Sequence, residues 1–372
     1  MLLFSDHRTW RLLGMAACWL ACTAGWARPG TPPGAADAPA LDAPLGTGAG
    51  ASRQAWSAAA ALSRGINLAV FAAPREGDWG LRMDDRWIDA LAKAGFRSVR
   101  FQVRWSNHAD PGADAVLDEV FALRMDRVVD AFMARGLVVV LAVCCNSQLE
   151  GKALEEGEVA VAPGVVRTRF VNVWRQIARR YARRPDRLLF ELGPVQPGDD
   201  HVLEALAAIR SSTPRRVVVI APPAYDARRL AEMAVPPDPH LIVTVQNREP
   251  RQFIRQGLPQ VEGADQWLGT PCCDPAQLAL IARDLDLLKA WSVQRRYPVW
   301  LGLFGSASTA PMASRARFLR AMRDAAEARD IPWAHTDFAA NFNVREPSQD
   351  SGFYDVIKGT WHTPLLEALL GP

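Results

Sequence analysis

The 372-residue chain lacks several patterns that would indicate a particular class of protein. Its formal net charge is only +3, which is too small to indicate a nucleic-acid partner. The apolar run at 12–20 is shorter than the roughly 20 residues that a membrane-spanning helix needs. No glycine-rich phosphate loop follows a predicted strand, which argues against a dinucleotide-binding fold. No Cys-x-x-Cys spacing supports a zinc site. We therefore expect no cofactor, no metal and no stable membrane span in the mature chain.

The amino-terminal segment 1–27 has the pattern of a secretory signal peptide. Arg8 and Arg11 supply positive charge, the run 12–20 supplies the apolar centre, and small residues close the segment. We therefore expect an exported protein, periplasmic or secreted. A lipoprotein attached at Cys22 is the alternative, although the residues before this cysteine fit that pattern poorly.

Residues 28–55 are rich in Ala, Gly and Pro. Such a segment buries too little surface to offset its ordering entropy, so we expect a disordered linker there. The remaining residues, 56–372, suit one large domain. An eight-fold β/α barrel of about 250 residues with insertions would fit this length.

Short apolar runs alternate with helical patterns along this domain. The predicted strands are 66–71, 98–103, 137–143, 188–192, 217–220, 241–245, 298–305 and 333–338. The predicted helices are 84–93, 117–135, 165–183, 201–210, 274–295, 314–329 and 363–370. The run 137–143 is unbroken, which is typical of a parallel strand buried on both faces. The alternation predicts an α/β fold, a closed (β/α)8 TIM barrel rather than an open doubly wound sheet.

Four cysteines remain after the signal segment, in the adjacent pairs Cys144-Cys145 and Cys272-Cys273. We expect them to be oxidised in an exported protein. Each pair follows a predicted strand on the side where a barrel carries its site. We hypothesise that at least one disulfide joins the two loops and narrows the cleft. A four-thiolate zinc site and buried free thiols are the alternatives.

Several segments, in order, resemble the cellulase family, glycoside hydrolase family 5. They lie at 64–68, 76–80, 95–101, 249–257, 302–305, 333–338 and 361–369. The resemblance implies a TIM barrel and a retaining hydrolase of O-glycosyl bonds. Such an enzyme needs two carboxylates about 5 Å apart, one as nucleophile and one as acid and base.

This chain departs from the family at both catalytic positions. The family ends strand seven in Gly-Glu-Phe-Gly with the nucleophile, and here that position is Leu303. The family carries the acid and base in Asn-Glu-Pro after strand four. Alignment on Pro197 places Gln196 at that glutamate, and alignment without a gap places Val195 there. Neither alignment restores a carboxylate.

Other polar positions of the family have changed as well. Its His-His pair after strand three is Cys144-Cys145, and its His and Tyr after strand six are Gln246 and Arg248. Its Tyr-Trp in strand eight is His335-Thr336. Of this polar set, the resemblance leaves only one residue in place, and that residue is Arg100.

The remaining carboxylates offer an alternative chemistry. Glu191 is expected to be a buried structural acid, because buried acids are usually paired. Asp199 and Asp200 are expected to cap the helix that follows strand four. The alternative is a relocated acid pair, in which one of these aspartates works with Glu249 or Asp337.

Aromatic side chains bear on sugar binding, because sugar faces stack on such rings. Trp79, Trp105 and Trp267 fall in predicted loops on the carboxyl side of the barrel, and loop packing is the alternative for each. Trp87, Trp174 and Trp291 fall in helices and are expected in the core. The predicted substrate-binding residues are Arg100, Trp105, Gln196, Gln246, Arg248, Trp267 and Asp337.

The resemblance and its departures together predict an exported family 5 barrel that has lost hydrolase activity. It would bind a polysaccharide or oligosaccharide, such as β-glucan, as an accessory protein at the cell envelope. One alternative is a working glycosidase with relocated carboxylates. The other is a structural or protein-interaction barrel with a closed cleft.

Overall fold

The computed structural model describes residues 50–195, 198, 200–340 and 352–371. Within these residues, eight parallel strands close into a barrel in sequence order, because β1 pairs with both β2 and β8. The strands are β1 Gly65–Leu68, β2 Ser98–Val103, β3 Val138–Val143, β4 Leu188–Pro194, β5 Val218–Ala221, β6 Leu241–Gln246, β7 Val299–Phe304 and β8 Trp333–His335. The predicted TIM barrel is confirmed.

Helices surround the barrel close to where the periodicity places them. They are α1 Arg53–Ala61, α2 Asp85–Ala94, α3 Glu119–Ala134, α4 Val166–Arg180, α5 Asp200–Arg210, α6 Arg251–Arg255, α7 Pro275–Arg295, α8 Met312–Glu327 and α9 Thr363–Leu370. Asp84 caps α2, and Asp274 forms a capping box with Gln277 at the start of α7. Between β5 and β6 the chain forms 3-10 turns, among them Ala227–Glu232, in place of an α-helix.

Two apolar layers hold the barrel together. Inside it, Val140, Leu189, Val219 and Trp300 are fully buried and fill the lower part of the lumen. The side chains that alternate with them point outward and pack against the helices, for example Phe190 against Trp174. This alternation follows from the period-2 geometry of a strand, and it reserves the upper lumen for polar residues.

Helix α1 closes the amino-terminal end of the barrel. Ala59 and Leu62 pack into the inner layer, and Ala55 is fully buried. The backbone N–H of Ala51 donates to the carbonyl of Arg296 at 2.8 Å. The predicted linker is therefore wrong for residues 50–55, because these residues fill an otherwise open apolar end. Residues 1–49, with the predicted signal segment, lie outside the described residues.

A small sheet follows the barrel near the carboxyl terminus. Its strands are β9 Ala339–Ala340, β10 Tyr354–Asp355 and β11 Thr360–Trp361. Strand β8 ends at His335, before the predicted end at 338, and the chain then turns towards this sheet. Among the helices described, none has the length and apolar character needed to cross a bilayer.

Candidate functional site

The upper lumen holds a buried ion pair between β2 and β4. Arg100 donates to Glu191 from Nε to Oε2 and from Nη2 to Oε1, both at 2.6 Å. The two residues are only 3% and 1% exposed. Arg100 Nη1 also donates to Asn67 Oδ1 at 3.0 Å, and Asn67 Nδ2 donates to the carbonyl of His335 at 2.8 Å.

These bonds bear on two of the sequence-based predictions. Glu191 is a buried, paired acid, as expected. Arg100, predicted to bind substrate, is covered and has its guanidinium fork filled by Glu191 and Asn67. In this structure Arg100 compensates a buried carboxylate, and its contact with a substrate stays a prediction.

Tyr225 is a site residue that sequence reasoning missed. Its hydroxyl lies 3.4 Å from Glu191 Oε1 and is buried above the ion pair. Gly193 has φ +102°, and a Cβ there would lie 3.2 Å from the Tyr225 hydroxyl. Ala224 and Tyr225 themselves have positive φ, which turns the chain over the end of β5. No sequence motif marks this tyrosine, since its partner lies 34 positions away.

Leu303, which the resemblance places at the nucleophile position of the family, lies at the barrel mouth. Leu303 is partly exposed near the end of β7, where it is in register with Gln246 of β6. The backbone N–H of Asn247 donates to the carbonyl of Leu303 at 2.8 Å. Gln246 is buried, and Val195, the alternative acid position after β4, is also buried. Gln196 lies outside the described residues.

A charged group surrounds the ends of β5 and β6. Arg228 Nη2 lies 2.7 Å from Asp226 Oδ2, and Arg228 Nη1 lies 3.5 Å from Glu249 Oε1. Arg248 donates to the carbonyl of Ala224, and its Nε lies 3.9 Å from Asp226 Oδ2. Arg248 is thus at the mouth, as its predicted binding role requires, but one edge of its guanidinium holds the loop after β5.

The protonation state of Asp226 follows from this group. Burial works to raise the pKa of Asp226, but hydrogen bonds from the side chain and backbone of Arg228 outweigh it and lower the pKa. Asp226 is therefore a carboxylate at neutral pH. A carboxylate held in this way cannot deliver a proton to a leaving group.

The predicted relocated acid pair receives little support from the described residues. Asp200 is exposed as the first residue of α5, where a negative charge favours the helix. Asp337 is 8% exposed beyond β8, and its carbonyl lies 2.9 Å from His335 Nδ1. Glu249 is engaged by Arg228. Asp199 lies outside the described residues.

The tryptophans separate into core and mouth. Trp105 is fully buried, with its ring 5.2 Å from that of Phe121, so the predicted sugar contact is wrong and loop packing prevails. Trp267 is half-buried, and the guanidinium carbon of Arg251 lies 5.8 Å from its ring centroid. Trp79 is half-buried beside Cys144 and Cys145. The rings predicted to lie in the core are all buried, namely Trp87, Trp174 and Trp291.

The cysteines form two disulfides, each between neighbours in the chain. Cys144 bonds to Cys145, and Cys272 bonds to Cys273. The hypothesis of a disulfide that joins the two loops is therefore wrong, because each cysteine is bonded to the cysteine adjacent to it in the sequence. Both pairs are largely buried at the carboxyl face, and neither ties the loop after β3 to the loop after β6. Among the described residues, no cluster of His, Cys, Asp and Glu could hold a metal ion.

An ion-pair network fixes the long loop after β3 instead. Arg104, which is fully buried, donates from Nη2 to Glu155 Oε2 at 2.5 Å and from Nε to the carbonyl of Ala72 at 2.8 Å. Glu158 lies 3.5 Å from the same guanidinium. The loop is thereby held against the segment after β1. The sequence offered no signal for this network, since its members are about 50 positions apart.

Known proteins match this chain over most of its length. A family model described as "Cellulase (glycosyl hydrolase family 5)" matches residues 60–341. Endoglucanase H of Acetivibrio thermocellus is 28% identical over 84% of this chain, and the match spans only 33% of that relative's length. Endoglucanase A of Paenibacillus barcinonensis is 27% identical over 48% of this chain and 44% of its own length.

Solved structures give the same result with fuller coverage. The structure of Thermotoga maritima Cel5A in complex with cellobiose has a TM-score of 0.76 and 30% identity, and covers 85% of this chain and 99% of that one. The cellulose synthase subunit Z of Clostridioides difficile has a TM-score of 0.72 and 27% identity, with 83% and 99% covered. The closed barrel, its strand order and these matches together show that the chain belongs to the cellulase family, glycosyl hydrolase family 5.

Proposed function

We propose that this family 5 barrel binds an oligosaccharide or polysaccharide, such as a β-glucan, and does not cleave it by the retaining mechanism. The observation that carries the proposal is Leu303, which stands at the nucleophile position at the mouth of the barrel. A hydrocarbon side chain has no atom that can attack an anomeric carbon. The acid and base position is Gln196 or Val195, and neither side chain exchanges a proton near neutral pH.

The carboxylates around the lumen support the same proposal. Glu191 is held by Arg100, while Asp226 and Glu249 share Arg228. Against the opposing effect of burial, hydrogen bonds from Arg228 lower the pKa of Asp226, so this carboxyl group is ionised and does not serve as a proton donor. General acid–base catalysis alone contributes about 10²–10⁴ in rate. Its loss together with the nucleophile removes useful turnover.

Two observations support a retained binding role. Related proteins of this fold have been crystallised with cellobiose and with mannotriose. The half-buried rings of Trp79 and Trp267 lie in loops on the carboxyl face of the barrel, where they could stack on sugar faces. We further propose that the protein acts outside the cytoplasm, in the periplasm or secreted, because residues 1–27 have the pattern of a signal peptide. Amino-terminal sequencing of the mature protein would overturn export if residues 1–27 were still present.

The test of function combines a hydrolysis assay with a binding measurement. The purified mature chain is incubated with β-glucans, and released reducing ends are counted; we expect none above the no-enzyme rate. Calorimetry with oligosaccharides follows, with Trp267→Ala compared with Trp56→Ala. Trp56 is 44% exposed on α1, at the opposite end of the barrel, and serves as the matched control. Loss of binding in the Trp267 variant alone supports the proposal. Hydrolysis by the unaltered chain would favour the relocated acid pair, and absence of any glycan binding would favour a structural barrel.

A further inference from the structure

Three arginines lie within the nine residues that follow β6, on the carboxyl side of the barrel. Arg248 is two positions beyond Gln246, the residue in register with Leu303. Arg251 and Arg255 begin and end α6. Residues four apart on a helix share one face, so the guanidinium groups of Arg251 and Arg255 project from the same side.

Among the residues that the structure describes, the carboxylates around these arginines are fewer than the guanidinium groups. Asp226 and Glu249 are already held by Arg228, at 2.7 Å and 3.5 Å. Asp284, the next acid along this edge, is paired with Arg283 at 2.8 Å. Within the described residues, three carboxylates, those of Asp226, Glu249 and Asp284, therefore face five guanidinium groups. These are the groups of Arg228, Arg248, Arg251, Arg255 and Arg283.

The excess of positive charge bears most on Arg255, which is the partly buried member of the group without an ion pair in the described residues. It is partly buried, and within the described residues no hydrogen bond or ion pair holds its guanidinium. Burial, together with the charges of Arg248 and Arg251, lowers the pKa of Arg255 to about 10, against a weaker opposing effect of Glu249. Enclosed charges are normally paired, because leaving water without a partner is costly. Arg255 remains a cation at neutral pH, and among the residues that the structure describes no carboxylate forms an ion pair with it.

Trp267 packs against one of these arginines, Arg251. The guanidinium carbon of Arg251 lies 5.8 Å from the centroid of the tryptophan ring, so a cation–π contact restrains that side chain. A restrained guanidinium loses less freedom when it binds a ligand. An aromatic ring beside Arg251 also suits a ligand that is both a sugar and an anion.

We propose that the arginine group Arg248, Arg251 and Arg255 binds the carboxylate of an acidic sugar, so the glycan held by this barrel contains uronic-acid residues. Guanidinium groups match carboxylates in bidentate geometry, which a neutral glucan cannot use. The inference rests on the proposed function, since it names the glycan class for the same site. It makes no use of bond cleavage.

The experiment measures binding of the mature chain to two ligands by calorimetry. Oligogalacturonate carries a carboxylate on each sugar, and cello-oligosaccharide of equal length is neutral. We expect oligogalacturonate to bind at least tenfold more tightly at low salt and to lose this advantage at high salt, because screening weakens charge pairs. Arg255→Gln should remove the advantage, and Arg255→Lys should keep part of it. Arg127→Gln, which changes an exposed arginine on α3, is the matched control and should bind as the unaltered chain does.

Each other outcome has a definite meaning. If only the neutral ligand binds, or if Arg255→Gln leaves a salt-dependent preference intact, the acidic-glycan inference fails and the proposed glycan-binding function stands. If neither ligand binds, both fail. Competition by inorganic sulfate at the same concentration as the oligogalacturonate would show a general anion site and overturn the sugar class. A melting temperature within a few degrees of the unaltered chain ensures that each variant is folded.

Discussion

Arg100 and Glu191 meet face to face in the lumen, joined by two hydrogen bonds of 2.6 Å and almost completely shielded from solvent. The pair lies directly beneath the mouth, with Asn67 and Tyr225 completing its contacts. The pair therefore stabilises the lumen beneath the candidate site and is not itself exposed to a ligand.

Removal of one partner of this pair should destabilise the protein strongly. We expect Glu191→Gln to lower the free energy of unfolding by about 3–5 kcal/mol, because Arg100 would be left as an uncompensated buried charge. Urea titration measures the loss. Asp89→Asn is the control, since it breaks the exposed pair of Asp89 with Arg135 and should change the free energy of unfolding far less. Equal effects of the two substitutions would contradict the structural role of Glu191.

Restoring the two glutamates should not restore hydrolysis. In the double variant Leu303→Glu with Gln196→Glu, the neighbouring positions still carry Gln246, Arg248 and the Cys144–Cys145 disulfide. A catalytic carboxylate needs partners that orient it and set its pKa, and these side chains do not replace the family's histidines and tyrosine. Reducing-end assays on β-glucan should remain at background. Robust turnover would show that the supporting positions matter less than we infer.

The disulfides should be found within single peptides. Proteolysis without reduction, followed by mass spectrometry, should yield one peptide with Cys144 bonded to Cys145 and another with Cys272 bonded to Cys273. Added reductant should increase the mass of each peptide by two hydrogens. A peptide that links residue 144 or 145 to residue 272 or 273 would refute this arrangement.

Acid should destabilise the fold through His335. Its imidazole is fully buried against Phe304 and Phe353, and burial lowers its pKa to about 3. The unfolded chain has the ordinary value near 6.5, so below that pH it binds a proton that the folded state does not. The contribution of His335 to the free energy of unfolding is therefore fully present above pH about 6.5. It falls as the pH is lowered towards 3, by up to about 1.4 kcal/mol per pH unit.

Urea titrations at pH 7 and pH 5 test this dependence. The unaltered chain should lose about 2 kcal/mol from this residue, and His335→Gln should lose correspondingly less. Asp and Glu residues titrate in both proteins and cancel in the comparison. Equal losses in the two proteins would mean that His335 becomes protonated in the folded state without penalty.

The closure of the barrel base should depend on α1. Leu62 is fully buried against the inner layer, and we expect Leu62→Ala to cost about 2–5 kcal/mol, because it leaves a cavity there. Trp56→Ala on the exposed side of α1 should cost less than about 1 kcal/mol. Thermal or urea unfolding compares the two. A small effect at Leu62 would indicate that the lower lumen collapses around the missing side chain.

Much of the site geometry depends on residues that are far apart in the chain. Trp105 and Trp267 both fall in loops after strands, and sequence analysis predicted the same role for each. The structure buries Trp105 against Phe121 and leaves Trp267 half-exposed beneath Arg251. Arg100 matched the family's arginine, yet its partner Glu191 lies 91 positions away.

The amino-acid sequence alone determined the barrel, the order of its strands and most of its helix ends. These features follow from local causes, namely the period of apolar residues and caps such as Asp274 and Gly95. It also showed that Leu303 cannot act as a nucleophile, because a hydrocarbon side chain has no nucleophilic atom wherever it lies in the fold. Only the tertiary structure decided that Arg100 pairs with Glu191, that each cysteine bonds its neighbour, and that Arg255 is partly buried without an ion pair to any described carboxylate. The physical reason is that pairing and burial depend on distances in space, which the closure of the barrel creates between residues remote in the chain.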